Sequence, residues 1–306
     1  MFPSLLRRWV EAMQGADARL VMLVKSSVAR RIMLHLPSGL GATIRPIAAM
    51  KHFGAAVSAC VLDVHPSGPR VLSFRGLLVS NPTDFHKRTN LIAEPPTPWR
   101  SGVKHDASKV FELTPLGGAS FKNGFGEVVE LEETYLYPLL KCSDLSHQTV
   151  PTPRRALIAT QQKPGDATDP ISENAPLTWA YLERHAATLD ARGSSIYKRS
   201  PRFGIFGVGP YSFTSWKVAT SCLHKKLQFH AIGPHNGKPV LFDDTCAFMS
   251  FEGREQAVEA ARLLNSQPAS EFLNSLIFWD AKRPITIEII RTLSINALRD
   301  HQESDS

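Results

Sequence analysis

The chain has 306 residues, 43% hydrophobic and 21% charged, and its 35 Lys and Arg against 28 Asp and Glu give a formal charge of +7. That length can hold two domains, each with its own core, and the basic excess suits a polyanionic partner, although an ordinary soluble protein can carry as much. No apolar run approaches the roughly 18 residues of a membrane span, Cys60, Cys142, Cys222 and Cys246 form no CxxC pair, and the histidines show no HExxH or Cys/His cluster, so a membrane protein, a disulfide scaffold and a zinc site lack support. Cytoplasm is the expected compartment, since the arginines near the start follow a short apolar patch, the wrong order for a secretory signal.

Residues 4–13 space Leu5, Leu6, Trp9, Val10 and Met13 at helical intervals, with Arg7, Arg8 and Glu11 opposite. Residues 20–24, LVMLV, form an unbroken apolar run typical of a parallel strand buried on both faces. A helix is expected over 28–36, ending before Pro37, then strands over 41–47 and 55–64. Residues 81–98 read as a polar, proline-punctuated linker, which divides the chain into domains 1–95 and 96–306.

Beyond Trp99 the pattern is irregular and rich in short strands. Arg100, Lys104, His105 and Lys109 make a basic stripe that fits phosphate contact or a solvated face equally well. Residues 177–192 are the clearest helix, with Pro176 suited to its first turn and Gly193 to its stop. Strands over 227–232, 239–242 and 246–251 are expected in one antiparallel sheet, with Asn236-Gly237 turning between the first two. Asp243 and Asp244 are adjacent, so on a strand end they point to opposite sides and suit a turn better than a metal pair. Helices are expected over 255–265 and 269–279, and a frayed tail over 301–306.

The most unusual stretch is residues 202–219, RFGIFGVGPYSFTSWKVA, where Gly204, Gly207 and Gly209 lie among five aromatic residues. Glycine lets a backbone turn with positive φ and approach a partner closely, while flat rings stack on bases or on each other. Lys198, Arg199 and Arg202 immediately precede the rings and Lys217 closes them. Cations that hold phosphates beside planar side chains that face bases are what a DNA surface requires; a solvated basic loop beside an aromatic core is the alternative. A cofactor loop at Gly207-Val208-Gly209 is disfavoured, because Pro210 and a strand-like run follow where a helix is needed, and no acid stands about 20 positions on to hold a ribose.

The segments 194–198 (SSIYK), 203–213 (FGIFGVGPYSF) and 278–286 (FWDAKRPIT), with 99–106 (WRSGVKHD) and 123–129 (NGFGEVV), resemble the C-terminal, target-recognition half of bacterial class I S-adenosylmethionine-dependent adenine-N6 DNA methyltransferases of restriction–modification type. The resemblance implies an α/β chain in which a partial Rossmann-like methyltransferase fold, late strands only, precedes an α+β target-recognition domain. It implies double-stranded DNA as partner and S-adenosylmethionine as cofactor, with Arg100, Lys104, Lys198, Arg202, Tyr211, Phe213 and Lys217 as candidate DNA-binding residues. The family's catalytic motif, an Asn or Asp followed by Pro-Pro and an aromatic, would precede Met1. Asn81-Pro82-Thr83-Asp84-Phe85 has one proline only, and Glu94-Pro95-Pro96 lies in the linker. No catalytic or cofactor-binding residue is therefore expected in this chain, and methyl transfer is expected to need a separate chain carrying the N-terminal methyltransferase half. A stand-alone DNA-binding protein without catalysis and a remnant of a disrupted gene are the alternatives.

Overall fold

A single strand order organises the first part of the protein. In the computed structural model, which describes residues 8–9, 11–13, 17–146, 149 and 151–305, β1 (Leu20–Lys25), β2 (Gly41–Ile47) and β3 (Ala59–His65) form a sheet in the order β1-β3-β2. β3 is antiparallel to both neighbours, from Leu20 opposite Val64 and from Gly41 opposite His65. β1 and β2 thus run in the same direction, joined through the helix Ser26–Met33. Leu20 and Val24 pack with Ile32 and Met33 of that helix around buried Ala29, Cys60, Leu62 and Val64.

The expectation for residues 20–24 needs correction. β1 pairs antiparallel with β3 and is not buried on both faces: Val21 and Leu23 are 52% and 53% exposed. The helix covers only one face of the strand, so its apolar residues alternate between core and surface. Of the helix expected over 4–13, residues 4–7 and 10 lie outside the described residues.

The expected linker is also structured. The helix Pro82–Lys87 is capped by Asn81, whose Oδ1 accepts from Asp84 N at 3.2 Å, with proline in its first turn. It buries Phe85 between Phe74 and Phe272, at ring separations of 5.3 and 5.9 Å. Phe74 belongs to a small hairpin of β4 (Ser73–Phe74) and β5 (Leu77–Leu78).

The described chain divides into two compact units, Met1–Ile92 with Glu271–Pro284, and Ala93–Ser270 with Ile285–Ser306. Residues 278–284 of the motif 278–286 thus belong to the first unit, and residues 285–286 to the second. There Asp280 accepts from Ser58 Oγ at 2.6 Å and pairs with Arg30, whose guanidinium lies 4.3 Å over the Phe278 ring.

The second unit holds two sheets. One runs β14-β10-β11-β7-β8-β9, built from β7 (Glu112–Gly117), β8 (Ser120–Lys122), β9 (Val128–Glu130), β10 (Leu136–Leu140), β11 (Arg155–Ile158) and β14 (Leu241–Phe242). The other runs β13-β12-β15-β6, from β6 (Arg100–Ser101), β12 (Trp216–Ser221), β13 (His230–Ile232) and β15 (Cys246–Phe251). The three strands expected in one antiparallel sheet are therefore divided, because β14 pairs parallel with β10. The turn between β13 and β14 is as expected, with Asn236 and Gly237 at φ 50° and 75°.

The expected helix 177–192 is two helices, Pro176–Arg184 and Ala186–Asp190, broken where His185 leaves helical geometry at φ −98° and ψ 12°. Glu132 closes the first from outside, accepting from Leu177 N at 2.7 Å and Thr178 N at 2.9 Å. Of the tail expected to fray, residues 301–305 continue the helix Ile295–Asp305, and residue 306 lies outside the described residues.

Candidate nucleic-acid interface

The backbone of residues 100–104 is held on both sides. Gly102 N donates to Cys246 O at 3.1 Å and Val103 N to Phe242 O at 2.7 Å, while Lys104 and Phe206 exchange two bonds of 2.8 Å. The crossing is too close for side chains. A Cβ at Gly102 would stand 2.1 Å from Asp243 O, and one at Gly207, whose φ is +66°, would stand 2.4 Å from Gly102 O. The glycine expected to approach a partner thus approaches the protein's own basic strap.

Beneath that strap lies a charged, mostly buried base. Lys141 Nζ bonds both Glu112 oxygens at 2.7 and 2.8 Å and stands 3.6 Å from Asp243, and His105 Nε2 lies 3.3 Å from Glu112. Burial pushes the Glu112 pKa up, but the hydrogen bonds from His105 and Lys141 outweigh it and hold the carboxyl below its ordinary value.

On this support the structure brings several candidates together. Arg100 is exposed, with its guanidinium over the half-buried Tyr211 ring at 5.1 Å. Tyr211 also packs 6.0 Å from Phe248, and its carbonyl accepts from Ser250 Oγ at 2.8 Å. Lys104 is half-exposed and 3.5 Å from Asp106. Lys198 is exposed on the turn Tyr197–Arg199, and the Tyr197 hydroxyl reaches Lys104 O at 3.5 Å. Phe213 meets Tyr137 edge-on at 5.1 Å. Arg202 stands apart from these contacts: it pairs with Glu183 and covers Phe203 at 4.5 Å.

Lys217 is a correction. It is 1% exposed, and its ammonium donates inward to Thr214 O at 2.6 Å and Val240 O at 3.0 Å, so no phosphate at the surface can reach it. Burial lowers its pKa to about 7. The strand expected through residues 211–218 begins only at Trp216, because Pro210 opens a tight turn over Pro210–Ser212. Tyr211 and Phe213 therefore do not share a strand face.

Two residues complete the surface: Arg192, which the sequence reading did not single out, and Tyr197, which it quoted in the motif 194–198 without a role. Arg192 bonds Gly204 O at 2.8 Å and His105 O at 3.2 Å, and its guanidinium lies 3.8 Å over the Tyr197 ring. Burial, then the Asp106 carboxylate, push the Tyr197 phenol well above its ordinary pKa, so it stays a neutral donor. The only sequence signal for Arg192 was its place one residue before a helix-stopping glycine. Among the described residues no group of His, Cys, Asp and Glu is placed to hold a metal, and no helix is long and apolar enough to cross a membrane.

Over nearly its whole length the chain is similar in sequence to a type II methyltransferase, in agreement with the resemblance carried by its motifs. The relative is the type II methyltransferase M.NspV of a Nostoc species, 39% identical over 318 aligned residues that cover 96% of this chain. The chain spans 66% of that relative's length, just under two thirds. No protein-family model matches. A solved structure of the type IIL restriction–modification enzyme MmeI in complex with DNA aligns with 99% of this chain and 52% of its own at 11% identity, with a TM-score of 0.48, too low to assign a shared fold.

Proposed function

We propose that this chain is the DNA-recognition part of an adenine-N6 DNA methyltransferase of restriction–modification type, and that cofactor binding and methyl transfer depend on a methyltransferase half carried by a separate chain. The observation that carries this reading is the β1-β3-β2 sheet. Two strands run the same way through a helical crossover, and a third is inserted antiparallel between them, the arrangement expected of the late strands of the class I methyltransferase fold. β1 has no strand on its other side among the described residues, an edge that further strands would continue, and its uncovered face shows Val21 and Leu23, which further elements would cover.

In this reading the second unit contacts double-stranded DNA. Arg100, Lys104 and Lys198 supply cations for phosphates, and the rings of Tyr211 and Phe213 stand beside them. S-adenosylmethionine is the methyl donor, but the residues present do not fit it: Gly207 and Gly209 are packed against the chain's own Gly102 and Tyr211 and leave no cradle for it. No methyl-transfer step is assigned to this chain's side chains.

The purified chain should bind duplex DNA with an affinity that falls steeply with salt and should show no heat of binding with S-adenosylmethionine in calorimetry. Failure to bind any duplex at low salt would overturn the recognition role. Micromolar cofactor binding by the chain alone would overturn the division of labour.

A further inference from the structure

A recess of about 450 Å³ lies in the second unit, lined among others by Tyr135, Tyr137, Gln162 and Asp166. Its rim is stitched to the stretch that carries the basic and aromatic surface. Thr160 Oγ1 donates to Phe203 O at 2.9 Å, Thr168 Oγ1 to Arg202 O at 2.6 Å, and Ile205 N to Gln161 Oε1 at 2.9 Å. Phe213, two residues from Tyr211, meets Tyr137 of the recess edge-on. Residues 202–213, which carry Tyr211, thus touch the walls of the recess at several points.

The loop at the rim is internally fixed, which leaves one side chain unspent. Asp166 Oδ2 accepts from Gln162 N at 3.2 Å and Lys163 N at 2.9 Å, and Gln161 Nε2 donates to Asp166 O at 2.6 Å. The Gln162 carboxamide is exposed and has no hydrogen-bond partner among the described residues; neither have the Tyr135 and Tyr137 hydroxyls. An amide offers one donor and one acceptor side by side, the pair that matches N7 and N6 of adenine at the major-groove edge, and the two tyrosines stand beside it at the recess. These groups line an open concavity large enough for a base.

We propose that this recess reads one adenine of the DNA, with Gln162 holding the base edge and Tyr135 and Tyr137 flanking it. The inference rests on the DNA-recognition reading above and adds a position and a base to it. The experiment is enrichment of bound duplexes from a pool with a randomised central block, using the full chain, Gln162→Ala and Tyr135→Phe. The unaltered chain should enrich a sequence containing adenine at a fixed position. Gln162→Ala should lose the preference at that one position, lowering the specific-to-random ratio by about tenfold, while the other positions are read as before. Tyr135→Phe, which keeps the ring, should retain the adenine preference. An unchanged preference in Gln162→Ala, or loss at every position, overturns the recess and leaves the recognition role standing. Absence of any enrichment by the unaltered chain overturns both.

Discussion

The guanidinium of Arg100 lies over the ring of Tyr211, 5.1 Å from its centre, and joins a cation on the edge strand β6 to the aromatic stretch. The stacking itself is worth about 0.5–1 kcal/mol at an exposed site. Arg100→Ala should therefore leave the melting temperature nearly unchanged, weaken binding to specific and random duplexes alike, and lower the salt slope by about one unit. Anisotropy titrations at two salt concentrations check this. A lowered melting temperature with an unaltered slope would make Arg100 structural.

Lys217 should behave in the opposite way. Its pKa falls from 10.5 to about 7 on folding, so between those values the unfolded chain holds a proton that the folded chain has released. Stability should rise with pH across that window, and the unfavourable contribution is complete below about pH 7. Lys217→Met should flatten that rise in denaturant titrations at several pH values, with no change in the salt slope of DNA binding. A slope reduced by about one would return Lys217 to the phosphate-contacting set.

Glu112 should report on the base beneath the strap. Its folded pKa is depressed, so its contribution to stability is present above its ordinary value of 4.5 and is lost as pH falls through the folded one. Glu112→Gln should cost about 1–3 kcal/mol at pH 7, below the ~3–5 of a fully buried pair, because Lys141 retains 27% side-chain exposure. The difference from the unaltered protein should shrink at acid pH. A pH-independent difference would mean that packing, not charge, is lost.

The glycine crossing at Gly207 and the open turn at Gly237 make a sharp steric prediction. Gly207→Ala meets Gly102 O at 2.4 Å with φ +66°, whereas Gly237→Ala, at φ +75°, has nothing within 4 Å. The second should cost about 1 kcal/mol of backbone strain alone, and the first several times that. Paired thermal melts decide it; equal costs would mean that the strap yields.

On the uncovered face of β1, Leu23→Lys should reduce self-association of the isolated chain and prevent assembly with a supplied N-terminal methyltransferase half. Size-exclusion chromatography of both mixtures is the measurement. Assembly that survives the substitution would place the contact elsewhere.

The strands 41–47 and 246–251 were legible in the sequence to the residue, since each is a continuous run closed by turns or breakers. The helix at Pro82 was also written there, as Asn at the cap, Pro first and Asp in the first turn, but its three neighbouring prolines drew attention to a linker instead. Two errors have one origin. Residues 20–24 and Lys217 both depend on which face a neighbouring element covers, and sequence period carries no information about that partner. Arg100 and Tyr211 were each legible as interface types, while their contact, made across more than a hundred residues, was not.

The Gly102–Gly207 crossing also bears on how such a surface could change its preference over time. Because neither backbone can shift past the other, the cationic strap and the ring-bearing segment are locked in register, and an insertion in one would displace the other. The loop 161–166 is bonded to the ring-bearing segment through Gln161 and Ile205, outside that crossing. If the recess reads a base as proposed, affinity and preference are separable as heritable traits: exchange of the loop between relatives would retarget the protein while the cationic strap is inherited intact.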